Sequence, residues 1–179
     1  MNDDEFIAKM QRSILCDRLM LEPALPKHVE SLHGELQDPR LYRWIESGAP
    51  THERLRQLWD EGRRSQDGKE IVLTWIIRMR PSGAAVGTLG AFIGTIDAST
   101  ADHAEATIGY VILHQHWGCG YATEAVLALI NALAEVQITA LRATVCTENQ
   151  ASIRVLEKAG FRRGGIVPDQ RDTVEYRRA

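Results

Sequence analysis

The sequence predicts an α+β fold, and three observations carry that prediction. Strand-like and helix-like segments alternate along the 179 residues without a linker, an internal repeat or a low-complexity tract. The middle of the chain holds consecutive segments rich in β-branched and aromatic residues, separated by turn signals. The later part reads strand, glycine-rich turn, helix, strand, helix and two closing strands. The full order is strand, two helices, three strands, helix, strand, helix, two strands.

Residues 1–13 are polar and read as a frayed end or a short helix. The acidic start, Met-Asn-Asp-Asp-Glu, has no apolar stretch and does not read as a signal peptide. Leu19, Met20 and Leu21 between charged residues form a first strand, which Pro23 and Pro26 end. Pro26 suits the first position of a helix reaching about residue 37, with Val29, Leu32 and Leu36 recurring at three- and four-residue spacing. Asp38-Pro39 stops it. Thr51 caps a second helix that turns Leu55, Leu58 and Trp59 to one side, and residues 62–68 close it. Residues 70–80 and 86–96 form a hairpin about Pro81-Ser82-Gly83. A loop of small and acidic residues, 97–103, leads to a strand over 106–113. A helix over 120–135 carries an apolar stripe of Ala122, Val126, Leu129, Ile130 and Leu133. A strand over 141–147 precedes a helix capped by Asn149 and ended by Gly160, a natural left-handed C-cap. Strands over 161–167 and 173–178 complete the chain.

Composition narrows the function. Hydrophobic residues make up 44% and charged residues 25%, the range of ordinary soluble proteins, and the net charge of −3 argues against broad nucleic-acid binding. The arginine pairs at 63–64, 162–163 and 177–178 read as solvated surface. Cys16, Cys119 and Cys146 are odd in number and form no CxxC pair, so neither a disulfide framework nor a zinc site is expected, and a reducing cytoplasm is. No HExxH spacing occurs, so no metal is expected. No stretch of 18 apolar residues occurs, so no membrane span is expected.

The chemistry concentrates at Trp117-Gly118-Cys119-Gly120-Tyr121-Ala122-Thr123. A strand, a glycine-rich turn and a helix start make an anion site, because first-turn N–H groups lack intrahelical partners and the macrodipole adds positive charge. Glycines 118 and 120 let a bulky anion approach the backbone. The Walker pattern is excluded by the missing lysine, and a GxGxxG fingerprint by Thr123 at its third position. By itself the turn is equally a tight connection without ligand.

Two motifs go further. Ile108-Gly109-Tyr110-Val111-Ile112 with Trp117 to Ala125 resembles the central motif of the GNAT N-acetyltransferases. Asn149-Gln150-Ala151-Ser152 with Lys158-Ala159-Gly160-Phe161 is similar to a second signature of the branch containing ribosomal-protein N-terminal acetyltransferases. Asp17 to Glu22 suits that branch's first strand. The resemblance implies a mixed, mostly antiparallel central sheet of six to seven strands. About four helices would flank it, and it would splay at the fourth strand. It treats 1–13 as a flexible N-terminus and 14–179 as a single acetyltransferase domain, cytoplasmic and leaning to a homodimer. Acetyl-CoA is the implied co-substrate and an amine, a protein N-terminus or a small molecule, the implied acceptor.

Residue by residue, the resemblance implies that the backbone at Val111 and Ile112 pairs with the pantetheine arm. Amides from Gly118 to Thr123 would hold the pyrophosphate, and Asn149 would bind the cofactor arm. Ser152 is the candidate proton donor, because Leu156 stands where many relatives carry a tyrosine. Its alternative role is an ordinary first-turn serine. Glu105, with Thr107 on the same face, is the candidate base, and Glu175 a further one. Cys119 reads as a small loop residue, and His114 and His116 as residues shaping the turn. Tyr42, Trp44, Trp59 and Trp75 are candidates for an acceptor wall or for core. Two rivals remain: a non-catalytic acyl-CoA sensor, and a nucleotide-binding protein of another kind.

Overall fold

The structure, a computed structural model, describes residues 3–60, 65, 70–94, 105–168, 170 and 172–179. The expected loop at 97–103 and most of the closing segment at 62–68 lie outside the described residues. The strands are β1 (Ile14–Leu15), β2 (Leu19–Pro23), β3 (Glu70–Met79), β4 (Ala85–Gly94), β5 (Glu105–Ile112), β6 (Ala140–Cys146), β7 (Arg162–Ile166) and β8 (Thr173–Arg178). They form one sheet in the order β1-β2-β3-β4-β5-β6-β8-β7. The helices are α1 (Asp3–Met10), α2 (Val29–Leu32), α3 (His52–Leu58), α4 (Tyr121–Ala134) and α5 (Gln150–Lys158).

The α+β reading holds, with eight strands where six to seven were expected and five helices for about four. The extra strand is β1, two residues paired to Met20 and Leu21, too short to leave a periodic signal. The extra helix is α1. Of the two readings of this end, the short helix is the one formed: residues 3–10 are helical, with Asp3, Asp4 and Glu5 at the positive end. Phe6 and Met10, one turn apart, are buried with Ile7 in the main core.

The expected helix over 26–37 is broken into a 3₁₀ turn (Pro26–His28), α2 and a second 3₁₀ turn (Glu35–Gln37). The Ser31 hydroxyl donates to the His28 carbonyl, and Gly34 lowers helix propensity, so the backbone tightens and stops. The buried face was still readable, since Val29, Leu32 and Leu36 are all buried. Thr51 caps α3 by accepting from the Arg54 N–H, and Asn149 caps α5 by accepting from the Ser152 N–H.

Two cores sandwich the sheet. One lies between α1, α4, α5 and the face carrying Ile71, Leu73, Trp75, Ile77, Leu89 and Ile108. The other lies under α2 and α3 and includes Ile76, Trp59 and Leu113. Alternation along β5 therefore sends Ala106, Ile108, Tyr110 and Ile112 to the first face and Val111 to the second. Trp59 and Trp75 are 1% exposed and are core, not acceptor wall. Tyr42 is half-buried against the second core.

The sheet has one parallel pair, β5 with β6, and it is brief. Only Glu105, Ala106 and Thr107 pair, with Ala140, Leu141 and Arg142. Beyond that point β5 continues along β4 to Ile112 while β6 continues along β8 to Cys146. The expected splay at the strand beginning near residue 105 is therefore present.

Candidate active site

The cleft begins where β5 and β6 part. Among the described residues, β5 from Ile108 to Ile112 has no strand on its β6 side. Its backbone on that side offers an extended ligand what an edge strand offers a peptide. Val111 and Ile112, the residues expected to pair with pantetheine, lie at the far end of this stretch. Gly87 on β4 fixes their position. A Cβ there would lie 2.1 Å from the Val111 carbonyl oxygen and 2.9 Å from the Ile112 Cα, so only glycine allows the two strands this approach.

At the mouth of the cleft stands the turn before α4. Gly118 and Gly120 adopt φ of +76° and +78°, which glycine enters without strain. Gly120 is the N-cap of α4 and makes no side-chain cap, so the first-turn amides of Tyr121, Ala122 and Thr123 have no capping partner. A Cβ on Gly118 would meet nothing within 4 Å. The indole of Trp117 donates to the Ile112 carbonyl at 2.7 Å and ties the turn to the end of β5. His114 stacks against Trp117 with ring centroids 4.8 Å apart, and His116 meets Tyr121 edge-on. Both histidines thus shape the turn, as expected. Cys119 is exposed, with its thiol 3.6 Å from the Trp117 carbonyl.

Arg18, just before β2, was not singled out from the sequence. Its N–H and its Nε donate to the two carboxylate oxygens of Glu124, at 2.8 and 2.7 Å. Its Nη1 donates to the Cys119 carbonyl at 3.1 Å, and its guanidinium lies 4.8 Å from the Tyr121 ring centre. Arg18 therefore holds the glycine turn and the first turn of α4 against β2. The partners lie 106 residues apart in the chain, and no local pattern announces them.

On the α5 side, Asn149 accepts the Ser152 N–H on its side-chain oxygen at 3.2 Å, which caps the helix. The Tyr110 hydroxyl lies 3.5 Å from the Ser152 carbonyl and reaches from β5 to α5. Burial pushes the Tyr110 phenol up to about 12, so it stays a neutral donor at any ordinary pH. Tyr110 is a second residue that sequence reasoning passed over. The signal was present: strand alternation turns it toward α5 with a polar tip that needs a partner. Leu156, in the place of the family tyrosine, is 2% exposed and belongs to the core.

The two candidate catalytic residues are on different faces. Ser152 sits on α5, beside the first core. Glu105 shares the opposite face with Thr107, as expected from the two-residue period. There Arg142 brings them together: its Nε is 2.7 Å from the Thr107 hydroxyl and 3.6 Å from the Glu105 carboxylate. Glu175 on β8 is 3.9 Å from Arg142 and bonded at 2.5 Å by Arg177. No group of three or more metal-ligating side chains occurs among the described residues. No helix among them is long and apolar enough to cross a membrane.

The acetyltransferase (GNAT) domain family matches residues 18–162, most of the chain and all of the cleft. The chain belongs to the GNAT acetyltransferases. A relative from Bacillus subtilis, the uncharacterized N-acetyltransferase YoaA, is 25% identical over 154 residues, covering 84% of this chain and 83% of its own. The solved structure of the ribosomal L7/L12 α-N-protein acetyltransferase RimL in complex with coenzyme A aligns with a TM-score of 0.75 at 21% identity, covering 93% of this chain and 97% of that one. The aminoglycoside acetyltransferase AAC(6')-Ib in complex with coenzyme A aligns with a TM-score of 0.71 at 21% identity, covering 90% and 94%. The chain is an acetyltransferase, and its fold is shared by enzymes whose acceptors differ widely.

Proposed function

We propose that this protein transfers an acetyl group from acetyl-CoA to a primary amine, a peptide N-terminus or a small molecule, by direct attack in a ternary complex. The observation that carries the reading is the parting of β5 from β6 after Thr107 and Arg142, with the uncapped first turn of α4 at its mouth. The pantetheine arm pairs with the free side of β5 at Val111 and Ile112. Amides of Gly118 to Thr123, with Trp117 and Cys119 framing the turn, receive the pyrophosphate. Asn149 adds a side-chain donor. The amine lone pair attacks the thioester carbonyl, the C–S bond breaks, the nitrogen loses a proton and the CoA sulfur gains one. Ser152 stands on the α5 side, where the thiolate leaves, and Glu105 on the opposite face, where the amine loses its proton.

Neutralising an α-amine of pKa near 8 costs about 1 kcal/mol at pH 7, against about 4–5 kcal/mol for a lysine side chain. Glu105 is already met by Arg142, so the site favours a weakly basic amine such as an α-amine. The three free cysteines fit a reducing cytoplasm.

The test is CoA release across a panel of amines and peptides, with the acetylated product read by mass. Amine-stimulated release is expected. Acetyl-CoA binding without release for any amine would leave the second reading, an acyl-CoA sensor, which the leucine at position 156 favours. Stabilisation by NAD or ATP rather than by CoA would sink both.

A further inference from the structure

On the acetyltransferase reading, the acceptor enters from the sheet face opposite α4 and α5. On the α4–α5 side, Tyr110 fills the space beside the parting strands and its hydroxyl lies against α5. On the opposite side Gly90 pairs with Gly109 across β4 and β5, so these two strands carry no side chain at that level, with Thr74 of β3 beside Gly90 and the Phe92 ring 3.7 Å from where a Gly90 Cβ would stand. A Cβ on Gly109 would meet nothing within 4 Å. This bare floor lies between Thr88 paired with Val111 and Phe92 paired with Thr107.

Next to the floor runs a row of charges across β5, β6 and β8. Thr107 is one side-chain step from Gly109 on the same face, roughly 6–7 Å along the strand. The Arg142 guanidinium bonds Thr107 and spans Glu105 and Glu175, and Arg177 closes the row on Glu175. Among the described residues the row carries two carboxylates and two guanidinium groups, a balance of zero. Glu105 and Glu175 would draw any cation to the floor, and Arg142 is the group between them that cancels the pull.

We propose that Arg142 is a specificity-determining residue: it keeps the acceptor face close to neutral, so acceptors with one amine are preferred over polyamines. The inference rests on the N-acetyltransferase reading above. A second positive charge on an acceptor meets Arg142 as a repulsion, and in the row both described carboxylates, Glu105 and Glu175, are already paired. Without Arg142 the row keeps two carboxylates against one guanidinium: Arg177 still holds Glu175, and Glu105 is left uncompensated.

The experiment takes matched acceptors from the amine panel, each pair differing by one additional cationic amine, and compares kcat/KM in wild type, Arg142→Gln and Glu175→Gln. Wild type should favour the monoamine. Arg142→Gln should shift the ratio toward the polyamine by roughly three- to tenfold per added charge, mostly through KM. The shift should shrink at about 0.5 M salt, where charges on an exposed face are screened. Glu175→Gln, which leaves the row with two guanidinium groups against one carboxylate, should move the ratio the other way. A CoA-induced melting shift retained in both variants shows that they fold.

A merely structural arginine would slow both members of a pair alike, with no dependence on salt. Equal losses, an unchanged ratio, or a wild type that already prefers the polyamine each overturn the proposal while the acetyltransferase reading stands. If wild type acetylates no amine, that reading fails and this one with it.

Discussion

Gly87 and Gly109 sit on neighbouring strands, and the same methyl group should have opposite consequences at the two positions. At Gly87 a Cβ would fall 2.1 Å from the Val111 carbonyl, a backbone atom that can move only if β5 moves. Gly87→Ala is expected to destabilise the fold by about 1–3 kcal/mol, the usual cost of overpacking. It should also weaken CoA binding, because the displaced residues are Val111 and Ile112. At Gly109 the added methyl enters open space, so Gly109→Ala should stay within about 0.5 kcal/mol of wild type. CoA affinity should persist there while acceptor turnover falls, since the methyl rises from the acceptor floor. Urea unfolding and CoA titration of the two variants check this, and equal CoA affinities would refute the role assigned to the β4–β5 approach. Arg18 makes a similar argument by hydrogen bonds. Arg18→Gln loses the Cys119 carbonyl and the Nε contact to Glu124, while the Arg18 and Leu19 N–H groups still hold that carboxylate, and CoA titration should show about fivefold weaker binding.

At the scale of elements, α1 gives the sharpest test, because its sequence is polar and its packing is not. Phe6 is fully buried in the main core, so Phe6→Ala should cost about 3–5 kcal/mol in urea unfolding. A loss below about 1 kcal/mol would mean that the helix is a passenger. The sequence pattern revealed most other elements. The stripe of α4, the Asn149 cap of α5 and the Gly160 stop are local signals, and local physics decides them. The 26–37 segment shows where pattern fails: its spacing marked the buried residues, but Ser31 and Gly34 broke the helix between them. The site divides in the same way. The glycine turn and Asn149-Ser152 were legible because backbone chemistry demands those residue types at that spacing. Arg18 on Glu124, Tyr110 on Ser152 and Arg142 between two carboxylates are meetings across the sheet. The Arg142 contacts depend on strand register and the other two on how α4 and α5 dock on the sheet, and nothing in the one-dimensional pattern fixes either.

For the whole molecule, buried titratable groups set a pH window of stability. His28 is 8% exposed, and burial lowers its pKa below 6.5, helped by Lys27 and Arg78 and opposed by Glu22. Its Nδ1 accepts the Leu25 N–H at 3.1 Å, which suits the neutral ring. A lowered folded-state pKa means that the folded protein resists the proton the unfolded chain accepts. This stabilisation is present above pH 6.5 and is lost as pH falls through the lowered value. Cys16 and Tyr110 act at the other end. Burial, reinforced by the Glu124 carboxylate, raises Cys16 from 9.0 to about 11, and burial raises Tyr110 from 10.0 to about 12. Raised values favour the neutral, protonated forms in the fold. Their contributions are complete below pH 9 and pH 10 and are lost as pH climbs toward 11 and 12. The melting temperature should therefore form a plateau over about pH 7–9, with an acid limb owed to His28 and an alkaline limb owed to Cys16 and the tyrosines that burial raises, Tyr42, Tyr110 and Tyr176. Tyr110→Phe removes one titration and one hydrogen bond. It should lower stability on the plateau by about 1 kcal/mol and flatten part of the alkaline limb, while leaving the acid limb unchanged. His28→Gln, which keeps an acceptor for the Leu25 N–H, should flatten the acid limb alone. Thermal melts of the three proteins from pH 5 to pH 11 decide the matter: parallel curves would show that the buried groups do not set the window.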